Sequence, residues 1–274
     1  VKINDKVVKQ NDLAKVFRVV WLLPSMDRLW LEGADGRRKF LDRLTLSFFP
    51  KHADCVLNYE KAMRERNRLL KEKMTDDVWY KALERQMAQN GLFIQSNRIA
   101  ALKKISSAQE NSTTTFPIAE LSLSKAIGDL TTDEDEFVKA LSENRYLDIM
   151  AGRTLIGPHR SDMEATYKEK GISAKDSSTG EQKAMLISIV LANARALKLE
   201  LGYPPVILLD EISAHLDIDR RGALYEEINA LGAQAWMTGT DKNLFSEFGC
   251  KAKYFHVIES SGISDIKEVD FSVD

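Results

Sequence analysis

The chain has 274 residues, 44% hydrophobic and 29% charged, with a formal net charge of −2. This is the composition of a water-soluble globular protein with room for one large domain or two smaller ones, and no apolar run reaches the roughly 18 residues of a membrane span. The near-neutral balance excludes a global pull on nucleic acid, so any such contact must come from local patches. Cys55 and Cys250 lack CxxC spacing, which argues for a reduced, cytoplasmic protein without a structural zinc site.

Val1 to Ile3, the turn pair Asn4-Asp5 and Val7-Val8 read as a first hairpin. Because the chain opens on Val1 directly in that hairpin, it is expected to be the carboxyl-terminal part of a longer protein. Asn11 or Asp12 is placed to cap a short helix ending near Phe17; Val19 to Leu23 then reads as a buried strand stopped by Pro24. A helical turn from Ser25 to Leu31 and a loop from Gly33 to Gly36 follow. The next helix, Arg37 to Leu44, sets Phe40, Leu41 and Leu44 against Arg37, Arg38 and Arg43 on its other side.

From about Ala53 to Ser106 the pattern is helical. Val56, Met63 and Leu70 recur every seven residues, with Leu57 and Tyr59 beside them and opposite charges at i, i+4. Thr75-Asp76-Asp77 offers a new amino-terminal cap, so two helices joined at Lys73 to Asp77 form an antiparallel hairpin, either a projecting arm or a plain helical subdomain. Gly91 interrupts the second helix without ending it.

Gln109 to Thr115 reads as a loop, Leu121 to Leu123 as a strand, and Thr132 to Tyr146 as one acidic helix capped by Thr131 or Thr132. Arg153 to Ile156 and Asp162 to Tyr167 are expected as sheet-edge strands, with Gly171 turning the chain back. Gly152 to Gly157 begins like a phosphate-binding loop, but Pro158-His159 stands where Lys-Ser/Thr is required, and no other glycine is followed by that lysine.

Two later stretches carry the chemistry. Ser178 and Glu181 have capping-box spacing ahead of a long apolar helix from Ala184 to Leu201. Capping does not explain Gly180, since glycine in a helix costs about 1 kcal/mol relative to alanine unless something approaches closely. A serine, a bare glycine backbone and free amides at a helix start suit an anion such as a terminal phosphate.

Val206-Ile-Leu-Leu209 then reads as a central strand buried on both faces and ending in Asp210-Glu211. Open α/β sheets place ligands at that end. Such a Walker B pattern lets Asp210 hold Mg²⁺ while Glu211 polarises a water. Strands also end in acids for ordinary reasons.

Ser178-x-Gly180-x-Gln182, the Asp210-Glu211 strand and Ser213-Ala214-His215-Leu216-Asp217 together resemble the signature motif, Walker B and D-loop of the ABC/SMC-type ATPase head. Within that superfamily the chain resembles the RecF family of bacterial recombinational repair. The likeness runs through Gly36 to Asp42, Tyr59 with Arg66, Asn67, Leu69, Leu70 and Lys71, Gly157 to Asp162, and Ser178 to Lys183.

The resemblance implies an α/β head (residues 1–50 and 151–274) with an inserted helical arm (51–150). It also implies that Ser178, Gly180 and Gln182 reach ATP held by a second subunit, that Asp210 holds Mg²⁺, that Glu211 activates water, and that Asp217 communicates across the homodimer. Thr238 and Thr240 occupy the switch region, where a transporter-type histidine is absent. Glu181 departs from the usual signature and is expected to point outward as a cap.

The family's Walker A lobe has no counterpart in the sequence, so this chain alone is expected not to hydrolyse ATP. The family further implies DNA repair and replication roles on duplex or gapped DNA read without sequence preference, and RecO and RecR as partners. Arg37, Arg38, Arg64, Arg66, Arg68 and Lys71 are the candidate DNA contacts. Two other classes stay open on the residues alone: a non-catalytic interaction module, and a metal-dependent phosphoesterase recruiting His159 or His215.

Overall fold

Asn4 and Asp5 hold left-handed backbone, with φ of 49° and 63°. That pair of angles is what a two-residue type I′ hairpin requires. It joins β1 (Lys2–Ile3) to β2 (Lys6–Val7). The computed structural model describes residues 1–8, 13–112, 114–124, 132–211, 216–260 and 262–270. The expected caps Asn11, Asp12 and Thr131, and Ser213, Ala214 and His215 of the D-loop, lie outside the described residues.

After α1 (Leu13–Val16) come β3 (Val19–Leu22) and a 3-10 turn over Pro24–Arg28. Helix α2 (Ala34–Phe48) starts three residues earlier than its apolar pattern suggested, because Gly33 acts as the extended cap and Gly36 sits within the first turns. The arm follows as α3 (His52–Lys71) and α4 (Asp77–Glu110), with the Asp76 carboxylate accepting from the amides of Val78 and Trp79.

Helix α4 extends two residues into the expected loop, through Gln109 and Glu110. The Gln109 side chain is buried and holds the backbone of Ala119 through both its amide atoms, at 2.9 Å each. Strand β4 (Ala119–Leu123) comes next. The single acidic helix of the sequence reading is two, α5 (Glu134–Glu143) and α6 (Arg145–Ala151), broken at Asn144; Asp133, rather than a threonine, caps the first.

Residues 153–156 are not a strand: they are tied to the arm by side chains, Thr154 N–H and Oγ1 both donating to Asn67 Oδ1. Strand β5 (Met163–Tyr167) is not an edge either, since it lies between β4 and β6 (Ile172–Ser173) in an antiparallel sheet.

The head is completed by α7 (Thr179–Leu201), β7 (Val206–Leu209), α8 (Ile218–Leu231) and β8 (Ala235–Met237), then a 3-10 segment over 242–251 and the ribbon of β9 (Tyr254–Ser260) and β10 (Ile263–Val269). The order β3-β7-β8 is parallel. Val20, Leu22, Ile207 and Leu209 point into a core shared with α7. Among the described residues nothing covers Leu208 on the other face, so β7 is not buried on both sides as its aliphatic run suggested; Leu208 is 39% exposed.

The arm has its own core. Its α3 row is Tyr59, Ala62, Arg66 and Leu69, stepping by three and four as a straight helix demands, while Val56 and Met63 flank the row and Leu57 faces solvent. These residues meet Leu83, Met87 and Ile94 of α4 and Phe137 and Leu141 of α5. Farther along α4, Ala101, Leu102 and Ile105 belong to the head core, so one rigid helix links the two clusters.

Candidate functional site

At the carboxyl end of β7 the ladder continues one residue past the strand, Asp210 N–H donating to Leu22 O at 3.0 Å. Thr238, just after β8, donates its N–H to Leu209 O at 3.0 Å and its hydroxyl to Asp210 Oδ1 at 2.5 Å. The same hydroxyl oxygen accepts the N–H of Glu211 at 3.1 Å. Glu211 holds a φ of 50°, left-handed backbone that a non-glycine residue adopts at a cost and that clusters at functional sites. It is exposed. Two acids of different geometry therefore stand together, Asp210 braced and Glu211 projecting. Thr240 is exposed nearby in sequence.

The start of α7 is a complete capping box. Ser178 receives the N–H of Glu181, and Glu181 Oε2 accepts from the Ser178 N–H and hydroxyl at 2.8 Å each. Glu181 also pairs with Lys170. The Lys170 contact, and then those from Ser178, hold its carboxyl down at about 2. Its charge is thus turned to its own helix start and to Lys170, as the sequence anticipates.

Ser178 and Gly180 are exposed, and a Cβ at Gly180 would find nothing nearer than the Arg220 guanidinium at 3.9 Å. Room for an approaching group is present there. Gln182 is different: it is 2% exposed and donates its amide to Ser177 O at 3.0 Å. One helical turn inward, its side chain faces the 3-10 turn that precedes α7 (Ala174–Asp176), so the expected direct reach to a ligand is corrected to bracing of that turn.

Lys183, which composition alone does not single out, is buried and pairs with Asp27 at 3.1 Å. Asp27 belongs to the turn after β3, and Leu22 of β3 is the register partner of Leu209. This ion pair ties the start of α7 to the loop layer where Asp210 stands. Asp217 caps α8, accepting the Arg220 N–H at 2.8 Å and pairing with its Nε at 3.7 Å.

The basic residues separate into two groups. Arg66 is fully buried; it donates to Glu84 at 3.1 Å, Asp148 at 2.7 Å, Thr154 at 2.9 Å and Leu141 O at 2.8 Å. No phosphate reaches it, and its place among the DNA contacts is withdrawn. Arg37 is largely committed to Asp162, with contacts of 2.7 and 2.9 Å, and the bonded carboxylate raises its pKa. Arg38 is partly exposed and lies near Ser161 O. Arg64, Arg68 and Lys71 are exposed, the first two beside Glu60 and Glu65.

His159 is also internal. Its ring lies between the Tyr59 hydroxyl at 2.7 Å and Thr154 O at 3.0 Å, and burial lowers its pKa to about 4. It is not available to a metal beside Asp210. Among the described residues, no group of three or more His, Cys, Asp or Glu could hold a metal ion.

No family model matches the chain. Among curated proteins it is 45% identical over 264 residues to the DNA replication and repair protein RecF of Agrobacterium fabrum, covering 93% of this chain and 70% of that one. The RecF proteins of Rhizobium leguminosarum bv. trifolii and Brucella suis are 44% and 43% identical, over 71% and 69% of their lengths. A solved structure of the recombination mediator protein RecF with ATP, of the RecFOR pathway, superposes with a TM-score of 0.75 at 22% identity, covering 97% of this chain and 73% of that one. A second RecF structure of that pathway gives 0.77 at 23% identity. These structures share the fold.

Proposed function

The chain belongs to the RecF family of DNA replication and repair proteins, and from that premise we propose that it forms the signature-motif and Walker B part of a DNA-binding ATPase head. The observation that carries this is the cluster of Asp210, Glu211 and Thr238 at the carboxyl end of a parallel strand. Asp210, with one oxygen held by Thr238, would hold Mg²⁺, and Glu211 would orient a water; the Thr238 bonds to both residues support this reading. When bound, Mg²⁺ neutralises charge on the phosphates of ATP.

Exposed Ser178 and Gly180, at the start of α7, fit a phosphate presented from outside the subunit, which supports an ATP-dependent homodimer. Asp217, fixed as the cap of α8 beside Arg220, is suited to a contact between subunits. The phosphate cradle is not among these residues, since no Gly-x-x-x-x-Gly-Lys-Ser/Thr occurs in the sequence. Turnover therefore requires the rest of a RecF-type polypeptide.

DNA binding is assigned to exposed Arg64, Arg68 and Lys71 and to the partly exposed Arg38, acting on backbone phosphates rather than bases. The RecFOR pathway of the solved relatives supports RecO and RecR as partners. The test is ATP-driven dimerisation and magnesium-dependent phosphate release, measured on this chain and on a version carrying the remaining part of a RecF protein. Only the longer version should turn over ATP. Turnover by the 274-residue chain itself would overturn the division of labour.

A further inference from the structure

The starts of α7 and α8 lie side by side. Gly180, in the first turn of α7, faces Arg220, in the first turn of α8. A Cβ built at Gly180 would find Arg220 Nη1 at 3.9 Å and, beyond its own helix, no other atom of the described residues within 4 Å. A group that approaches the bare backbone of Gly180 from that side therefore meets the guanidinium.

The other charges at this spot are already committed. Lys170 and both the N–H and the hydroxyl of Ser178 turn to Glu181, so ammonium and carboxylate cancel at the capping box. Arg220 is held less firmly. Among the described residues it pairs only with Asp217, whose carboxylate lies 3.7 Å from Nε, beyond hydrogen-bond length. The two side chains are 37% and 59% exposed, and an ion pair so open to solvent is weak. Arg220 thus keeps positive charge beside Gly180 that its own subunit barely neutralises.

We propose that Arg220 is a catalytic residue of the site formed between subunits: its guanidinium binds the terminal phosphate of the nucleotide that a second subunit presents to Ser178 and Gly180. This rests on the reading of Ser178 and Gly180 as a signature acting across a homodimer. In hydrolysis the water oxygen bonds to the γ-phosphorus while the bond from phosphorus to the ADP oxygen breaks, and a proton leaves with the products. Charge is spread over the γ-phosphate oxygens as this happens. A planar fork of N–H donors stabilises that charge with paired hydrogen bonds, which a lysine in the same place cannot form.

The test uses the longer version carrying the remaining part of a RecF protein, since this chain lacks the phosphate-binding loop. Arg220→Met should lower magnesium-dependent phosphate release by about 10²- to 10³-fold, with an unchanged urea midpoint, and Arg220→Lys should lose less. Mixing variants shows where the residue acts. Each site joins Glu211 of one subunit to Arg220 of the other, so a dimer of one Glu211→Gln and one Arg220→Met subunit holds one complete site. Equal amounts mixed before ATP is added should recover about a quarter of the unmodified rate, because half of the dimers are mixed and one of their two sites is intact. Ser178→Arg mixed with Glu211→Gln is the reference for the signature and should recover the same share.

A normal rate in Arg220→Met overturns the proposal. So does a silent mixture of Arg220→Met with Glu211→Gln when the Ser178→Arg mixture recovers; the signature reading then stands without Arg220. If neither mixture recovers, the signature reading and the proposal fall together. Should Arg220→Met lose its native circular dichroism, Arg220→Gln takes its place in the same mixture, with the same outcomes deciding.

Discussion

Thr238 donates its hydroxyl to Asp210 Oδ1 at 2.5 Å while accepting the N–H of Glu211 at 3.1 Å. One hydroxyl thus sets both the rotamer of the first acid and the left-handed turn of the second. Thr238→Val keeps the shape and removes both bonds. Losing a hydrogen bond to a charged group costs about 1.5–3 kcal/mol, so turnover by the longer protein should fall about 10- to 100-fold. Thr238→Ser should retain most of it. Steady-state phosphate release reads the effect, and an unchanged Thr238→Val rate would detach this residue from the site.

Glu211→Gln separates assembly from chemistry. The amide keeps the size and removes the basic oxygen, so hydrolysis by the longer protein should slow by about 10²- to 10⁴-fold. ATP-driven dimerisation, followed by light scattering, should persist because the signature residues are untouched. Full turnover in this variant would remove Glu211 from water activation.

The site was legible where chemistry and local pattern coincide. Ser178 with Glu181 and the Asp76 cap are short-range signals, and both caps are formed; Asp210 and Glu211 stand just past the carboxyl end of β7, where the aliphatic run sets them. What was not legible depends on tertiary partners. Arg66 reads as one more cation on a charged helix, yet its carboxylates come from Glu84 and Asp148, 18 and 82 residues away. Gln182 turns inward because its acceptors are carbonyls of the preceding turn. The aliphatic run of β7 predicts two covered faces; only the α7 side is covered by the described residues.

Arg66 joins two carboxylates that are themselves fully buried. Arg66→Met leaves Asp148 without its cation, although Arg145 still reaches Glu84 at 2.6 Å. Breaking one side of a buried ion pair costs about 3–5 kcal/mol, so the urea midpoint should drop sharply. By contrast, Arg64→Ala and Arg68→Ala remove exposed cations and should change stability by no more than about 0.5 kcal/mol. A stable Arg66→Met protein with weakened DNA binding would return Arg66 to the nucleic-acid surface.

His159 makes stability pH-dependent. Thr154 O can only accept, so Nε2 carries the proton and Nδ1 accepts from the Tyr59 hydroxyl. The folded pKa is lowered to about 4, chiefly by burial, against about 6.5 in the unfolded chain. Between those values the unfolded state binds more protons. Stability is therefore full above about pH 6.5 and falls as pH drops towards 4, with a slope approaching 1.4 kcal/mol per pH unit from this group. Urea unfolding at pH about 7, 6 and 5 should show that slope, and His159→Gln should flatten it while lowering the plateau. An equal slope in the variant would place the titration elsewhere.

Gly91 sits in the middle of α4, where alanine would ordinarily stabilise a helix by about 1 kcal/mol. Here a Cβ would lie 2.8 Å from Phe137 Cε1, 3.3 Å from Tyr59 Cε2 and 3.4 Å from Pro158 Cδ. Both rings are buried, and the Tyr59 ring is held by its hydrogen bond to His159, so neither neighbour can withdraw freely. Overpacking of this kind costs about 1–3 kcal/mol, which exceeds the helical gain. Gly91→Ala should therefore destabilise the arm by up to about 2 kcal/mol, read from urea unfolding. The same substitution at Gly36, whose Cβ would meet only the flexible Glu32 side chain at 3.7 Å, should stabilise. If both variants gained stability, Phe137 would have room to move, and the close packing of α5 on α4 would not be what requires glycine at position 91.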